Sequence, residues 1–257
     1  MHVVDLRDFY ASALGRLTCS TLTARLARLG AAKPGQIVMG LGYAPPYLPA
    51  LAPEGAAGLA FMPAKQGVVH WPEDSKNLST LVDGCALPLV ESAIDMAFLV
   101  HSLEFADAPE EMLEEVWRVL APQGRLILVI PNRRGLWAAS ERTPFGHGRP
   151  FSRSQISSLL KDAKYSITRW DSALYFPPLS GRVSLAMAKS LESAGRIVAG
   201  TFSGLTIVEA TKQVYAFSSG KRARKLVPRF RPVLLPAPQG IRRSGAKMIP
   251  KPGNSGL

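Results

Sequence analysis

Two cysteines, Cys19 and Cys85, are all that the 257 residues contain. That pair builds no disulfide framework and has no spacing suited to zinc, so no metal site is expected and a reducing, cytoplasmic setting is the natural one. Long apolar runs are missing as well. None approaches the roughly 18 residues that a membrane-crossing helix requires, which excludes a membrane span of that kind. The opening residues do not read as a secretory signal, because Asp5, Arg7 and Asp8 interrupt them. No internal repeat is visible. The remainder describes a soluble globular chain, long enough to bury one substantial core.

Acidic residues are absent from Ser218 to Leu257, a stretch that holds ten of the 31 basic ones. The rest of the chain is nearly neutral, with 21 basic against 19 acidic residues. The net charge of +12 is therefore mostly a property of the tail. Pro228, Pro232, Pro236, Pro238 and Pro250 punctuate the same segment. Such a sequence buries too little apolar surface to offset its ordering entropy, so a disordered or loosely docked arm is expected. It reads either as a solubilising tail or as an arm that attracts nucleic acid or an anionic surface. The economical division is one domain over Met1–Phe217 followed by the basic tail Ser218–Leu257.

Within the domain, strand and helix signals alternate. Leu6 to Leu29 is helical material, with Leu14, Leu17, Leu22, Leu26 and Leu29 at mostly helical spacing. Gln36 to Met39, Ala56 to Met62 and Leu78 to Leu81 read as three short strands. The clearest passage runs from Asp83 to Asn132. Ile94 to Val100 is an apolar run of strand length broken only by Asp95. Asp107 is placed to cap the next helix, Pro109 suits its first turn, and Glu110 and Glu111 complement its positive end. Met112, Leu113, Val116, Trp117 and Leu120 give that helix one apolar face, Arg118 suits its C-terminal end, and Pro122 to Gly124 stops it. Arg125 to Ile130 is a further buried strand. Ser152 opens another helix, Tyr165 to Tyr175 reads as a sixth strand, Val183 to Val198 as a helix, and Gly204 to Phe217 as a long β-branched last strand. Such alternation builds a doubly wound α/β sheet with ligands at the strand C-terminal ends.

Gly40-Leu-Gly42-Tyr43-Ala44 follows the first strand and precedes Pro45-Pro46-Tyr47-Leu48, which is placed to open a helix. Glycines there let backbone N–H groups approach a ligand, whose negative groups a helix N-terminus favours. An ordinary tight turn needs the same residues, so the pair alone leaves both readings open.

With the later residues added, the chain resembles the class I S-adenosylmethionine-dependent methyltransferases, especially the group called type 11. The resemblance is strong over Ile37 to Asn132. The glycine run matches the family's first motif, and Asp83-Gly-Cys-Ala-Leu-Pro88 matches its Asp-x-x-x-Leu-Pro pattern. Ser92-Ala-Ile-Asp95, His101-Ser-Leu-Glu104 and the run from Glu115 to Gly124 match the fourth strand, its exit and the following helix and turn. The resemblance implies a Rossmann-like, doubly wound, seven-stranded sheet with an antiparallel last strand. It implies S-adenosyl-L-methionine as cofactor, with Gly40, Gly42, Tyr43 and Ala44 at its amino-acid end and Asp83 at the adenine amine. Asp83 also reads as a loop aspartate satisfying backbone amides, and Tyr10 reads equally as a cover over the cofactor from the N-terminal helix or as core packing.

One departure stands out. The family places an acidic residue at the end of the second strand for the ribose hydroxyls, whereas this chain reads Gly58-Leu-Ala-Phe-Met-Pro63. Glu73 or Asp74 downstream is the available substitute. Candidates for chemistry are His101 and Glu104, and His147 with Arg149 in the loop Arg142 to Phe151; each has a structural reading as a capping, packed or loop residue. No Asn-Pro-Pro-Tyr-like signature follows the fourth strand, which favours a small-molecule methyl acceptor. Two other readings stand beside the enzyme: a non-catalytic binding or regulatory protein, motivated by the missing carboxylate, and an RNA-associated protein using the basic tail.

Overall fold

The computed structural model describes residues 1–179, 181–198 and 203–213. The basic tail, the expected domain boundary at Phe217 and the end of the expected last strand lie outside these residues. Seven strands form one sheet in the order β3-β2-β1-β4-β5-β7-β6. Their ranges are β1 Ile37–Gly42, β2 Ala57–Pro63, β3 Ser79–Val82, β4 Ile94–Val100, β5 Leu120–Pro131, β6 Tyr165–Ala173 and β7 Leu205–Lys212. Neighbours are parallel except at β7, which runs antiparallel to both β5 and β6. This is the doubly wound sheet with the antiparallel last strand that the sequence implies.

The side-chain period of two gives the sheet its two buried faces. On β4, Met96, Phe98 and Val100 face one core with Leu6, Leu22 and Leu48. Ala97 and Leu99 face the other, with Leu113, Val116 and Ile156. Asp95, the one interruption in that run, accepts the backbone N–H of Ile37 at 2.8 Å and so ties β4 to the start of β1.

The N-terminal helical segment is two helices, α1 Val3–Ala11 and α2 Ala13–Leu26. Ser12 breaks them apart, and its hydroxyl caps α2 by accepting from the Gly15 N–H at 3.0 Å. Further on, α3 is a single turn, Leu48–Leu51, and α4 Pro109–Val119, α5 Arg153–Asp162 and α6 Arg182–Val198 follow. Ser152 and Gln155 form the capping box of α5.

Two local expectations require correction. Asp107 does not cap α4: the cap position is Ala108, and the Asp107 carboxylate pairs with Lys65 instead. The helix ends at Val119, before Pro122, and Leu120 already pairs with Ile94 of β4.

Candidate functional site

The glycine run is part of β1 rather than a loop after it. Gly42 pairs with Val100, and the Tyr43 N–H donates to the Val100 carbonyl at 3.0 Å. Gly42 has φ +96°, and a Cβ there would collide with the Val100 carbonyl oxygen. A Cβ on Gly40 would collide with that of Ala44. Gly42 is thus required by the backbone at the end of β4, and Gly40 by the Ala44 and Leu48 side chains. The helix they were expected to introduce is the four-residue α3, and the N–H groups of Tyr47 and Leu48 are already bonded to the Ala44 carbonyl. No ready anion site is left at that end.

Three tyrosines close over the run. Tyr10 of α1 stacks on Tyr43 with ring centroids 5.4 Å apart, and its hydroxyl accepts from the Tyr47 hydroxyl at 2.8 Å. The Tyr10 hydroxyl also lies 2.8 Å from Nε2 of His101, the first residue after β4. Burial pushes the phenols of Tyr10 and Tyr47 well above the usual tyrosine range, and that of Tyr43 up to about 12. Tyr10 is thus packed into the core against Tyr43, Tyr47 and His101.

His101 is fully buried and has φ +52°, an uncommon backbone state for a residue with a side chain. Its carbonyl accepts from the Gln66 amide, its ring packs on Phe145 at 4.5 Å, and Nδ1 lies 3.6 Å from Oε1 of Glu104. Glu104 is 2% exposed. Among the described residues, both its carboxylate oxygens, Nδ1 of His101 and the hydroxyl of Ser102 lack a hydrogen-bond partner. Buried polar groups are seldom left so, since each costs on the order of 1–3 kcal/mol. Two of these four atoms, Nδ1 of His101 and Oε1 of Glu104, face each other at 3.6 Å.

Beside this cluster is a cavity of about 440 Å³ at the C-terminal ends of β2 and β3 and the exit of β4. Gln66, Asp83, Ser102, Phe105, Asp107 and Met112 are among its walls. Asp83 is exposed, and one of its oxygens accepts the Cys85 N–H at 2.9 Å, a loop-closing bond. The other oxygen makes no hydrogen bond among the described residues. The loop after β3 is held from behind by α4. Glu115 accepts the Leu87 N–H at 2.8 Å, and Arg118 donates to the carbonyls of Leu87 and Leu89 and to the Glu115 carboxylate. Those two residues give the Glu115–Gly124 run its physical meaning.

The second-strand position holds no acid. Lys65, just past β2, occupies that wall and pairs with Asp107, which raises the amine and lowers the carboxyl from their ordinary values. Glu73 lines a different groove, beside Tyr43, His70 and Trp71, and so supplies no substitute in this cavity. His147 is exposed, and its ring bonds the Glu141 carbonyl of its own loop. The Arg149 guanidinium donates to the carbonyls of Ala106 and Asp107, and its N–H donates to the Glu104 carbonyl. It ties the β4 exit to the Arg142–Phe151 loop rather than facing a substrate. Tyr47, Gln66, Ser102 and Phe145 were not singled out in the sequence, where only the spacing of three tyrosines at 10, 43 and 47 gave any hint.

This sheet order, with a cavity at the C-terminal ends of β2 and β3 and the exit of β4, is that of a class I methyltransferase fold. Residues 59–128 match the family model described as a methyltransferase domain. An S-adenosylmethionine-dependent methyltransferase of Thermotoga maritima superposes with a TM-score of 0.55 at 17% identity, covering 82% of this chain and 96% of that one. A chain of the complex between the Haloferax volcanii Trm112 methyltransferase activator and a methyltransferase gives 0.56 at 19% identity, over 81% and 98%. The [4+2]-cyclase SpnF gives 0.53 at 21%, over 75% and 80%. No curated protein sequence matches the chain. The family model covers residues 59–128, and the likeness to these structures, at 17–21% identity, shows the class I methyltransferase fold.

The cofactor that this fold implies finds hydrogen-bonding groups in the cavity wall: the Ser102 hydroxyl and the outer oxygen of Asp83 suit its donors, while the Glu104 carboxylate lies buried behind that wall, facing His101. The glycine run contributes by shape alone. Among the described helices, none is long and apolar enough to cross a membrane, and no group of His, Cys, Asp and Glu among the described residues is arranged to hold a metal ion.

Proposed function

We propose that the protein is an S-adenosylmethionine-dependent methyltransferase acting on a small molecule. The observation that carries this reading is the cavity at the C-terminal ends of β2 and β3 and the exit of β4, lined by Asp83 and Ser102 with the buried Glu104 carboxylate behind them. When bound, the cofactor supplies an electrophilic methyl group on a sulfonium, transferred by in-line displacement. Such a reaction depends mainly on holding donor and nucleophile together. Asp83 would hold the adenine end. Glu104 would face the cationic end, and Ser102 would satisfy a polar group between them.

The remaining chain holds that arrangement in place. His101 is pinned between Tyr10 and Phe145, so its Nε2 is spent on the Tyr10 hydroxyl and its ring orients Glu104. The Arg142–Phe151 loop excludes water from this point, since Phe145 and Gly148 pack over His101 and Glu104.

A non-catalytic reading has its own support. Glycines expected to face the cofactor are packed on β4 and covered by Tyr10 and Tyr43, and the second-strand carboxylate is absent. Incubation with S-adenosylmethionine and a panel of amine, hydroxyl and thiol acceptors separates the two. Acceptor-dependent release of S-adenosylhomocysteine supports the enzyme. Cofactor binding with no release across the panel favours the binding protein.

A further inference from the structure

A cleft of about 1030 Å³ lies away from the cofactor cavity, at the C-terminal ends of β5 and β6. Its walls come from the turn after β5, the start of α5 and the end of β6, and they carry Arg133, Arg134 and Arg153. The one acidic wall residue is Asp171, and it is partly committed, accepting the Ser172 N–H at 2.8 Å. Three positive charges thus face one negative charge in a domain that is otherwise nearly neutral.

These arginines do not serve the fold in equal measure. Arg153 is held in place: it donates to the Ser172 hydroxyl at 3.1 Å, and its guanidinium lies 5.5 Å from the Trp170 ring centroid. Arg133 and Arg134 are exposed, and among the described residues their guanidinium groups make no hydrogen bond or ion pair. Structural surface arginines usually find a carboxylate or carbonyl, as Arg118, Arg125 and Arg149 do here. The α5 N-terminus adds little, because Ser152 and Gln155 already cap it. The attraction comes from the arginines.

We propose that this cleft binds a phosphate-bearing small molecule. Guanidinium forks pair with phosphate oxygens two at a time, and one preoriented arginine beside two free ones suits a group with several anionic oxygens. A cleft of this volume accommodates a ligand of nucleotide size, and Trp170 with Tyr175 gives it an aromatic wall. β5 and β6 present it at the same C-terminal end of the sheet as the other cavity, on strands separate from it.

Calorimetric titration of the full chain with pyrophosphate, a nucleoside diphosphate and a short single-stranded RNA tests the proposal, with Arg133→Glu/Arg134→Glu and Arg153→Glu as variants. Circular dichroism checks that each variant is folded. Pyrophosphate or the diphosphate should bind saturably, and each variant should lose roughly tenfold or more in affinity, while S-adenosylhomocysteine affinity stays unchanged. Phosphate binding that persists in a wild type unable to bind S-adenosylhomocysteine would sink the methyltransferase reading and leave the cleft standing. No binding of either small probe at several millimolar would overturn the proposal. So would equal binding by wild type and variants, which would assign the interaction to the basic tail. Tight RNA binding that neither small probe competes would replace it with a nucleic-acid surface.

Discussion

The Tyr10 hydroxyl and Nε2 of His101 lie 2.8 Å apart, 91 residues distant in sequence and both buried. This bond fastens α1 to the exit of β4, and the Tyr47 hydroxyl extends it to α3. Replacing Tyr10 by Phe keeps the ring stacking and removes both bonds. His101 and Tyr47 are then left without their partner, which is expected to cost about 1–3 kcal/mol of stability in urea denaturation.

Glu104 is predicted to behave in the opposite way. Glu104→Gln exchanges a buried carboxyl with two unpartnered oxygens for a neutral amide of the same shape. Stability without ligand should be unchanged or higher, and affinity for S-adenosylmethionine lower. A variant that loses stability and keeps its affinity would make Glu104 a structural residue. The trade-off is the mark of a group retained for a ligand.

Gly42 tests packing rather than ligand contact. With φ +96° and the Val100 carbonyl oxygen where a Cβ would sit, Gly42→Ala is expected to destabilise by roughly 2–4 kcal/mol. Thermal melting without any ligand reads this directly, and an unchanged melting temperature would return Gly42 to the cofactor.

Glu115 gives the fold an acid dependence. The Arg118 hydrogen bond, with the Leu87 amide adding to it, holds its carboxyl below the usual carboxylate range. A depressed folded value means the contribution is present above the unfolded value of about 4.3 and is lost as pH falls through the folded one. Arg118→Ala should therefore flatten the stability profile below about pH 4. Parallel urea titrations of wild type and variant from neutral pH downward measure it.

The tyrosines set the alkaline limit. Tyr10 and Tyr47 are raised well above the usual value by burial, and Tyr43 to about 12. Stability from these neutral phenols is complete below the unfolded value near 10 and is lost as pH rises through the folded values. Ultraviolet titration should show these phenols ionising late, together with loss of near-ultraviolet dichroism.

The β4–α4–β5 passage was legible because its signals are local: an apolar run, Pro109 and two glutamates at a helix start, and a helix-period face. Asp107 was misread because capping competes with an ion partner, Lys65, that lies 42 residues away. The glycine run was placed correctly after the strand core, yet its backbone continues the ladder, a fact set by Val100 across the sheet. Neither the network of Tyr10, Tyr47, His101 and Glu104 nor the cleft of Arg133, Arg134 and Arg153 has a sequence period. Each gathers residues from separate elements, and the topology alone brings them together.

The most direct measurement is calorimetric titration of wild type, Glu104→Gln and Asp83→Ala with S-adenosylmethionine. The account predicts micromolar binding by the wild type. It predicts binding weakened roughly ten- to 150-fold in Glu104→Gln, the equivalent of losing one charge-assisted hydrogen bond, and a clear loss in Asp83→Ala. No binding by the folded wild type near millimolar ligand, or equal affinity in all three proteins, would contradict it.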